Sequence, residues 1–275
     1  MQAEAKNDRS VDLFAVRSLL FLPASKPRAI AKAREVSADL VILDLEDAVK
    51  PEDKAAARDA AVEALATPWR VPIAIRINGA GSEWHSLDLD AAARSTADLI
   101  VVPRAISAHL VHEVVETVSK PVLAMIETAA GVLAAAEIAP ATAGLIAGTN
   151  DLAADLRLPP SAGRAPLQTA LQTIVLAARA AGVAVFDGVF NELENAPGLV
   201  AEAEEGRRLG FDGKSLIHPS QIEPCRRAFA PTEAEIEHAR RLVAAFDGGA
   251  ERFEDQMIER MHVEAARRLL GRVTP

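Results

Sequence analysis

The sequence lacks the features typical of disulfide-stabilised, secreted or membrane-spanning proteins. Cys225 is the one cysteine among 275 residues, so neither an intrachain disulfide nor a cysteine-based zinc site can form. The N-terminal stretch MQAEAKNDRS has no apolar segment of the signal-peptide kind, and no apolar run approaches the ~20 residues that cross a bilayer. We therefore expect a soluble, cytoplasmic protein with no membrane partner.

A basic excess is also missing. The formal net charge is −9 and the sequence pI is near 5.3. General affinity for nucleic acid needs a basic surface, so we expect no nucleic-acid partner. An anionic substrate would need a local group of cationic side chains.

Several catalytic motifs are absent as well. No G-x-G-x-x-G follows the first apolar run, which disfavours dinucleotide binding. No G-x-S-x-G is present, which disfavours a serine hydrolase, and no H-x-x-x-H pair supports a transition metal. Cys225 lies in a predicted helix, where we interpret it as a packing residue.

Eight short apolar runs alternate with alanine-rich segments that have helical spacing. The runs are nearly continuous, which is typical of parallel strands covered on both faces. Eight strands and this chain length predict a (β/α)8 TIM barrel over residues 1–230, with residues 1–10 disordered and a doubly wound open sheet as the alternative. The predicted strands cover 18–24, 40–47, 71–77, 98–105, 121–128, 143–152, 183–189 and 211–219.

The pattern changes after residue 230. Residues 231–246 read as a helix with a capping box formed by Thr232 and Glu235, and Gly248 and Gly249 interrupt it. The remainder is amphipathic. We predict that residues 231–275 form a C-terminal helical extension that covers the barrel mouth or contacts a neighbouring subunit.

Polar residues follow the predicted strands at their C-terminal ends, where a β/α barrel carries its active site. We expect these side chains to gather around one mouth of the barrel. They are Asp44, Glu46, Asp47, Arg76, Asn78, Arg104, Glu127, Asp151, Asp187, Lys214 and His218.

Two of these positions suggest a metal site. Glu127 and Asp151 end consecutive strands, so a barrel would make them neighbours able to share Mg²⁺, which takes one or two protein carboxylates. Alternatively, each acid stabilises the N-terminus of the following helix. Arg76 ends a buried strand and needs an anionic partner, either a substrate or an internal salt bridge to Asp44 or Glu46. His218, followed by Pro219, has a helix-capping alternative.

The order of several motifs resembles that of the citrate lyase β-subunit-like proteins in the HpcH/HpaI aldolase and citrate lyase superfamily. LDLEDAV and GFDGKSLIHPSQ are the most specific of them. The full set runs over nearly the whole chain: RSLLFLPASKP (17–27), VILDLEDAV (41–49), RIN (76–78), VPRA (102–105), MIETAAGV (125–132), GTNDLAADL (148–156), AARAAGVAVFDGV (177–189), GFDGKSLIHPSQI (210–222) and FEDQMIE (253–259).

The resemblance implies a β/α barrel assembled as a homotrimer or hexamer, with Mg²⁺ and a coenzyme A thioester or a 2-oxo acid as ligands. It also assigns roles. Glu127 and Asp151 match the magnesium ligands, and Arg76 matches the arginine that binds the 2-oxo acid carboxylate. Asp44 and Glu46 match the acids that order metal-bound water. Lys26 and Arg28 match the loop that meets substrate or coenzyme A phosphates.

Two positions depart from the family pattern. The tail segment usually ends in an aspartate, which the resemblance makes the acid/base candidate supplied across a subunit interface. Here the segment is DQMIE and Glu259 takes that place. In the strand-six motif, Asn150 replaces an acid and removes a negative charge beside the metal ligands.

The leading functional hypothesis is a Mg²⁺-dependent carbon–carbon lyase, or the reverse condensation, on a citryl-, malyl- or citramalyl-type coenzyme A thioester. It would give a 2-oxo acid and an acyl-CoA. The alternatives are a coenzyme A-independent 2-oxo acid aldolase, a malyl-CoA thioesterase and a non-catalytic scaffold. Retention of Glu127, Asp151 and Arg76 disfavours the scaffold.

Overall fold

The computed structural model describes residues 11–273, so the prediction of disorder for residues 1–10 lies outside the described part of the chain. The chain divides into two compact units, with the boundary between Ala228 and Phe229. Each unit has its own apolar cluster. Within residues 11–273, no helix has the length and apolar character needed to cross a membrane.

The first unit is a closed barrel of parallel strands. Each strand pairs with the next in sequence, and the last pairs with the first through Ser18–Lys214 and Leu19–Ser215. The predicted TIM barrel is confirmed and the open-sheet alternative is wrong. The strands are β1 (Ser18–Pro23), β2 (Leu40–Asp44), β3 (Ile73–Arg76), β4 (Leu99–Val102), β5 (Val122–Ile126), β6 (Gly144–Ala147), β7 (Ala184–Asp187) and β8 (Gly213–Leu216).

Helices connect the strands as the alternating pattern predicts. Local chemistry sets several of their ends. Thr128 caps the helix after β5 by accepting the Gly131 N–H, and Gly182 ends the longest crossover in a left-handed conformation (φ +71°). The helices of the first unit are α1 (Pro27–Ala33), α2 (Lys54–Leu65), α3 (His85–Arg94), α4 (Ala108–Val118), α5 (Ala129–Ile138), α6 (Thr149–Asp155), α7 (Gln168–Ala181), α8 (Ala196–Leu209) and α9 (Ile222–Phe229).

Alternate residues of each strand fill the barrel interior, because successive side chains of a strand point to opposite faces. In β2 these are Leu40 and Ile42, and in β5 they are Leu123 and Met125, all within one buried apolar cluster. The next inward positions on these strands are Asp44 and Glu127. The apolar interior therefore ends, at the C-terminal side, in a layer of polar side chains.

The second unit confirms a C-terminal extension that contains helices. These are α10 (Glu233–Ala245), with the predicted Thr232–Glu235 capping box, and α11 (Arg260–Gly271). Between them lies an antiparallel hairpin of β9 (Glu251–Phe253) and β10 (Gln256–Ile258). The predicted helical extension therefore also contains a short hairpin between its two helices.

Candidate metal and substrate site

A cavity of about 340 Å³ lies at the C-terminal ends of the barrel strands. Its walls combine the inward-facing polar layer with loop residues after β6 and β8. Five of the eleven predicted strand-end residues are among those that line it. The polar lining residues are Asp44, Asp47, Arg76, Glu127, Thr149, Asn150, Asp151 and Ser215.

Arg76 makes the internal salt bridge that was one of its two sequence interpretations. Its Nε and Nη2 donate to the two carboxylate oxygens of Asp44, at 2.7 Å each. Nη1 lies 2.9 Å from Glu46 Oε2 and 3.5 Å from Asp47 Oδ2. Burial alone would lower the pKa of Arg76, but Asp44 and Glu46 outweigh it and raise it. The guanidinium also borders the cavity.

Glu46 is an acid whose surroundings disfavour its ionised form. Burial raises the pKa of Glu46 to about 8, even though Arg76 acts to lower it, and the neighbouring Asp47 and Glu127 add to the rise. Arg76 stabilises the Glu46 carboxylate only partly, because Asp44 already takes two of its nitrogens. Burial therefore favours the protonated form of Glu46, and the adjacent Arg76 guanidinium favours the ionised form.

One carboxylate oxygen of Glu127 accepts a hydrogen bond, and the other has no hydrogen-bond partner. Its Oε1 accepts the Arg104 backbone N–H at 2.6 Å, and Arg104 adopts φ +48° to direct that group. Oε2 is buried without a hydrogen-bond partner. A Cβ at position 148 would collide with the Glu127 side chain, so Gly148 leaves the space that this carboxylate occupies. Burial raises the pKa of Glu127 to about 7, against the Arg104 N–H.

Asp151 lies in the first turn of α6 and lines the same cavity. Burial, followed by the charge of Asp47, raises the pKa of Asp151, while Arg104 Nη1 lies 3.9 Å from its Oδ1. A buried oxygen without a partner next to a second acid with a raised pKa suits a divalent cation, which would stabilise both ionised forms.

The donor set fits magnesium better than a transition metal. Among residues 11–273, no group of three or more His, Cys, Asp or Glu side chains is arranged to hold a metal. Mg²⁺ needs fewer protein ligands, because waters and substrate oxygens complete its octahedron. Glu127 and Asp151 are the residues that could hold it here.

Asp187 and Lys214 are not at this site, contrary to the expectation for strand-end residues. They occupy outward positions, alternate to the inward Phe186 of β7 and to the cavity-lining Ser215 of β8. Lys214 Nζ lies 2.9 Å from Asp187 Oδ2 and 2.7 Å from Glu202 Oε1. Both residues therefore belong to an ion-pair network toward the helices.

The remaining predicted residues lie elsewhere in the structure. Lys26, which immediately precedes α1, and Arg28, in the first turn of α1, are both exposed where the chain leaves β1 at the cavity end. Glu259 precedes α11 in the second unit, where its N–H donates to His262 Nδ1 at 3.0 Å. His218 caps a short helical turn by accepting the Ser220 N–H, as its alternative interpretation states. Burial raises the pKa of the Cys225 thiol to about 12, which agrees with a packing role.

Sequence reasoning missed two features of the site. Lys54, seven residues after the LDLEDAV acids, is buried and donates hydrogen bonds into the β2–α2 loop. Asn150 in the first turn of α6 and Asn191 in the loop after β7 exchange two amide hydrogen bonds, at 2.7 and 3.2 Å. The replacement of the family's acid by Asn150 marked that position as unusual, but no sequence pattern indicated that Asn191, 41 residues later, is its partner.

The comparisons with known proteins agree with this geometry. The sequence profile described as HpcH/HpaI aldolase/citrate lyase matches residues 17–219, which is more than half of the chain. This chain belongs to the HpcH/HpaI aldolase/citrate lyase family. The family assignment confirms the resemblance drawn from the LDLEDAV and GFDGKSLIHPSQ motifs.

Individual family members match almost the whole chain. A (3S)-malyl-CoA thioesterase of Cereibacter sphaeroides is 43% identical over 268 residues, which cover 93% of this chain and 94% of that protein. A citrate lyase subunit beta-like protein of Mycobacterium tuberculosis is 38% identical over 93% of this chain and 96% of its own length.

A solved structure shows what a family member binds. The crystal structure of CitE from Mycobacterium tuberculosis in complex with magnesium, acetoacetate and coenzyme A superimposes with a TM-score of 0.84. It is 38% identical and covers 94% of this chain and 98% of that one. Magnesium and a coenzyme A ligand therefore occur together in a close structural relative.

Proposed function

We propose that this chain is a magnesium-dependent enzyme acting on a malyl-type coenzyme A thioester, with hydrolysis of the thioester bond as its net reaction. The observation that carries the proposal is the gathering of Glu127, Asp151 and the Arg76 guanidinium around one cavity. Identity of 43% to a (3S)-malyl-CoA thioesterase over 93% of the chain favours this substrate and this reaction.

The residues of the chain divide the work between binding and orientation. Glu127 and Asp151 would hold Mg²⁺, which when bound supplies positive charge next to the carboxylate and hydroxyl oxygens of a malyl group. Arg76 binds the substrate carboxylate, and Asp44 orients its guanidinium through two hydrogen bonds. The Arg104 N–H orients Glu127. Buried charges of this kind act strongly because the surroundings are apolar.

Glu46 supplies a proton-carrying group near the reacting atoms. A carboxyl group with a pKa of about 8 exchanges protons readily near neutral pH. We assign it the orientation of water, as the family resemblance implies. Lys26 and Arg28 are exposed cations at the cavity end of the barrel, and we assign them to the coenzyme A phosphates.

Carbon–carbon cleavage is the second candidate reaction on the same substrate. The crystal structure with magnesium, acetoacetate and coenzyme A shows that a relative of the family holds an oxo acid and coenzyme A together. Cleavage would release a 2-oxo acid and leave an acetyl enolate that needs a proton. We assign that proton to Glu259 of a neighbouring subunit. A coenzyme A-independent aldolase would need neither Lys26 nor Arg28.

One incubation separates these reactions. The protein is mixed with malyl-CoA and Mg²⁺, and free thiol and glyoxylate are followed at the same time. Thiol without glyoxylate indicates hydrolysis and supports the proposal, whereas glyoxylate without thiol indicates the lyase. Turnover that is unchanged by chelation of the metal would contradict both. The homotrimer or hexamer, the cytoplasmic location and the lack of a nucleic-acid partner stay predictions.

A further inference from the structure

Lys54, the first residue of α2, is a buried lysine whose ammonium group donates all its hydrogen bonds to protein atoms. Its Nζ donates to the backbone oxygens of Leu45 and Glu46, each at 2.7 Å, and to Asn78 Oδ1 at 2.6 Å. An ammonium group has three protons, and these contacts use all of them. Burial lowers the pKa of Lys54, while the nearby Asp44 and Glu46 act in the opposite direction.

A second layer of hydrogen bonds holds the partners of Lys54. The Asn78 amide donates to Leu45 O at 3.0 Å and to Asp88 Oδ2 at 2.6 Å. Asp88 is in turn paired with Arg58 at 2.6 Å. Lys54 of α2 and Asn78 of the loop after β3 therefore converge on the backbone of Leu45 and Glu46, and Asp88 of α3 holds Asn78. We call residues 45–47 the acidic turn.

The acidic turn carries one charged residue of the cavity lining, Asp47, and a second acid, Glu46, that contacts the cavity-lining Arg76. Glu46 lies 2.9 Å from Arg76, and Asp47 lies 3.5 Å from Arg76 and lines the cavity. Lys54 is not among the cavity-lining residues, and its three donors are all used by protein atoms. It reaches the site only through the backbone that it holds.

We infer that Lys54 is a positioning residue, which sets the acidic turn so that Glu46 and Asp47 face Arg76 in the geometry that the reaction needs. The inference rests on the proposed function for its kinetic consequence, but not for its structural one. A purely structural lysine would contribute stability alone. A positioning lysine acts through Glu46, so its kinetic effect should vanish when Glu46 no longer works.

The structural consequence is tested by amide hydrogen exchange in Lys54→Met, which keeps the length of the side chain but none of its donors. We expect exchange at the amides of Glu46 and Ala48, which donate to Asp44, to rise at least about tenfold. The matched control is Lys120→Met, because Lys120 also has a pKa lowered by burial but donates only to Ala93 O at 3.2 Å. Unchanged exchange at residues 46–48 in Lys54→Met would overturn the inference.

The kinetic consequence is tested by a double-mutant cycle on kcat/KM, measured at saturating Mg²⁺ with the malyl-CoA concentration varied. We expect Lys54→Met to lower kcat/KM about 30-fold in the wild-type background and less than about threefold in Glu46→Gln. Equal losses in both backgrounds would mean a merely structural lysine and overturn the inference. If Lys54→Met does not fold, Lys54→Arg takes its place, because it keeps the charge and loses the geometry. A wild-type protein inactive on malyl-CoA refutes the proposed function alone, since the exchange result still decides the role of Lys54.

Discussion

The barrel contains two groups of buried charges at the C-terminal ends of its strands, and they differ in how far the charges are matched. The outward group joins the acids Asp187, Glu202 and Glu205 to Arg164 and Lys214, and every one of these charges has an ion-pair partner. The inward group faces the cavity with more acids than nearby cations. In it, the Oε2 atom of Glu127 is buried without a hydrogen-bond partner.

This difference separates structural charges from functional ones. Burying a charge is costly unless it is paired, so a matched network satisfies itself and needs no ligand. An unmatched group keeps a capacity to bind, and here the missing partner is positive. The pKa values follow the same division. Burial raises the pKa of Glu127 to about 7, whereas Lys214 and Arg164 overcome burial and lower the pKa of Asp187.

The largest expected effect comes from removing one charge of the inward group. Glu127→Gln should lower Mg²⁺-dependent turnover by about 10³-fold, because the cation loses the buried carboxylate that compensates it. Steady-state rates with malyl-CoA measure this. The matched control is Glu205→Gln in the outward group, an identical chemical change that should leave the rate within twofold. Equal losses of turnover in both variants would contradict the division into functional inward charges and structural outward charges.

A charge-removing substitution in the outward group should lower stability and leave the catalytic rate unchanged. Asp187→Asn leaves Lys214 and Arg164 with less compensation, so we expect the free energy of unfolding to fall by about 3 kcal/mol, measured by urea denaturation. Because the pKa of Asp187 is lowered on folding, the wild-type protein has this stabilisation above the ordinary carboxyl range near pH 4 and loses it on further acidification. The folded variant should keep its kcat/KM, and a large loss there would place Asp187 in the site.

Much of this arrangement was predictable from the sequence. The errors have two causes: the alternation of strand faces and contacts between segments that are distant in sequence. Short apolar runs gave all eight strands, and the order of polar residues after them gave Asp44, Arg76, Glu127 and Asp151. Asp187 and Lys214 were misplaced because the prediction used position along the strand and ignored the alternation of its two faces. Counting in twos from Phe186 would have turned Asp187 outward. Lys54 and the Asn150–Asn191 pair depend on contacts between separate segments, which no local pattern encodes.

A smaller effect concerns the pH dependence of stability. The pKa of Glu46 rises from 4.5 to about 8 on folding, so between these values the folded chain holds a proton that the unfolded chain has lost. Stability from this residue therefore falls as the pH rises through that window. Without metal, Glu46→Gln should stabilise the protein by about 1–2 kcal/mol at pH 9 and change little at pH 4. Thermal denaturation at both pH values measures it, and equal shifts would show that folding does not raise the pKa of Glu46.

The Asn150–Asn191 pair tests the effect of one added negative charge at the cavity. Asn150→Asp should raise KM for malyl-CoA about fivefold, because it repels an anionic substrate, while kcat changes less than twofold. Asn191→Asp breaks the same amide pair at a residue outside the cavity lining, and serves as the control. Equal KM values in the two variants would assign the effect to the lost hydrogen bonds.

Glu259 belongs to neither group, and its predicted effect is the smallest. If it supplies the proton for carbon–carbon cleavage, Glu259→Asp restores the shorter family side chain and should raise glyoxylate release from malyl-CoA about threefold. Thiol release should not change. An unchanged or lower rate of glyoxylate release would count against an acid role for this residue.

The most direct test of the unmatched inward group is calorimetric titration with Mg²⁺. We predict that the wild-type protein binds one ion per chain, that Glu205→Gln binds it with the same affinity, and that Glu127→Gln shows no measurable binding. Magnesium binding of equal strength by Glu127→Gln and the wild-type protein would contradict the assignment of the cavity as a metal centre.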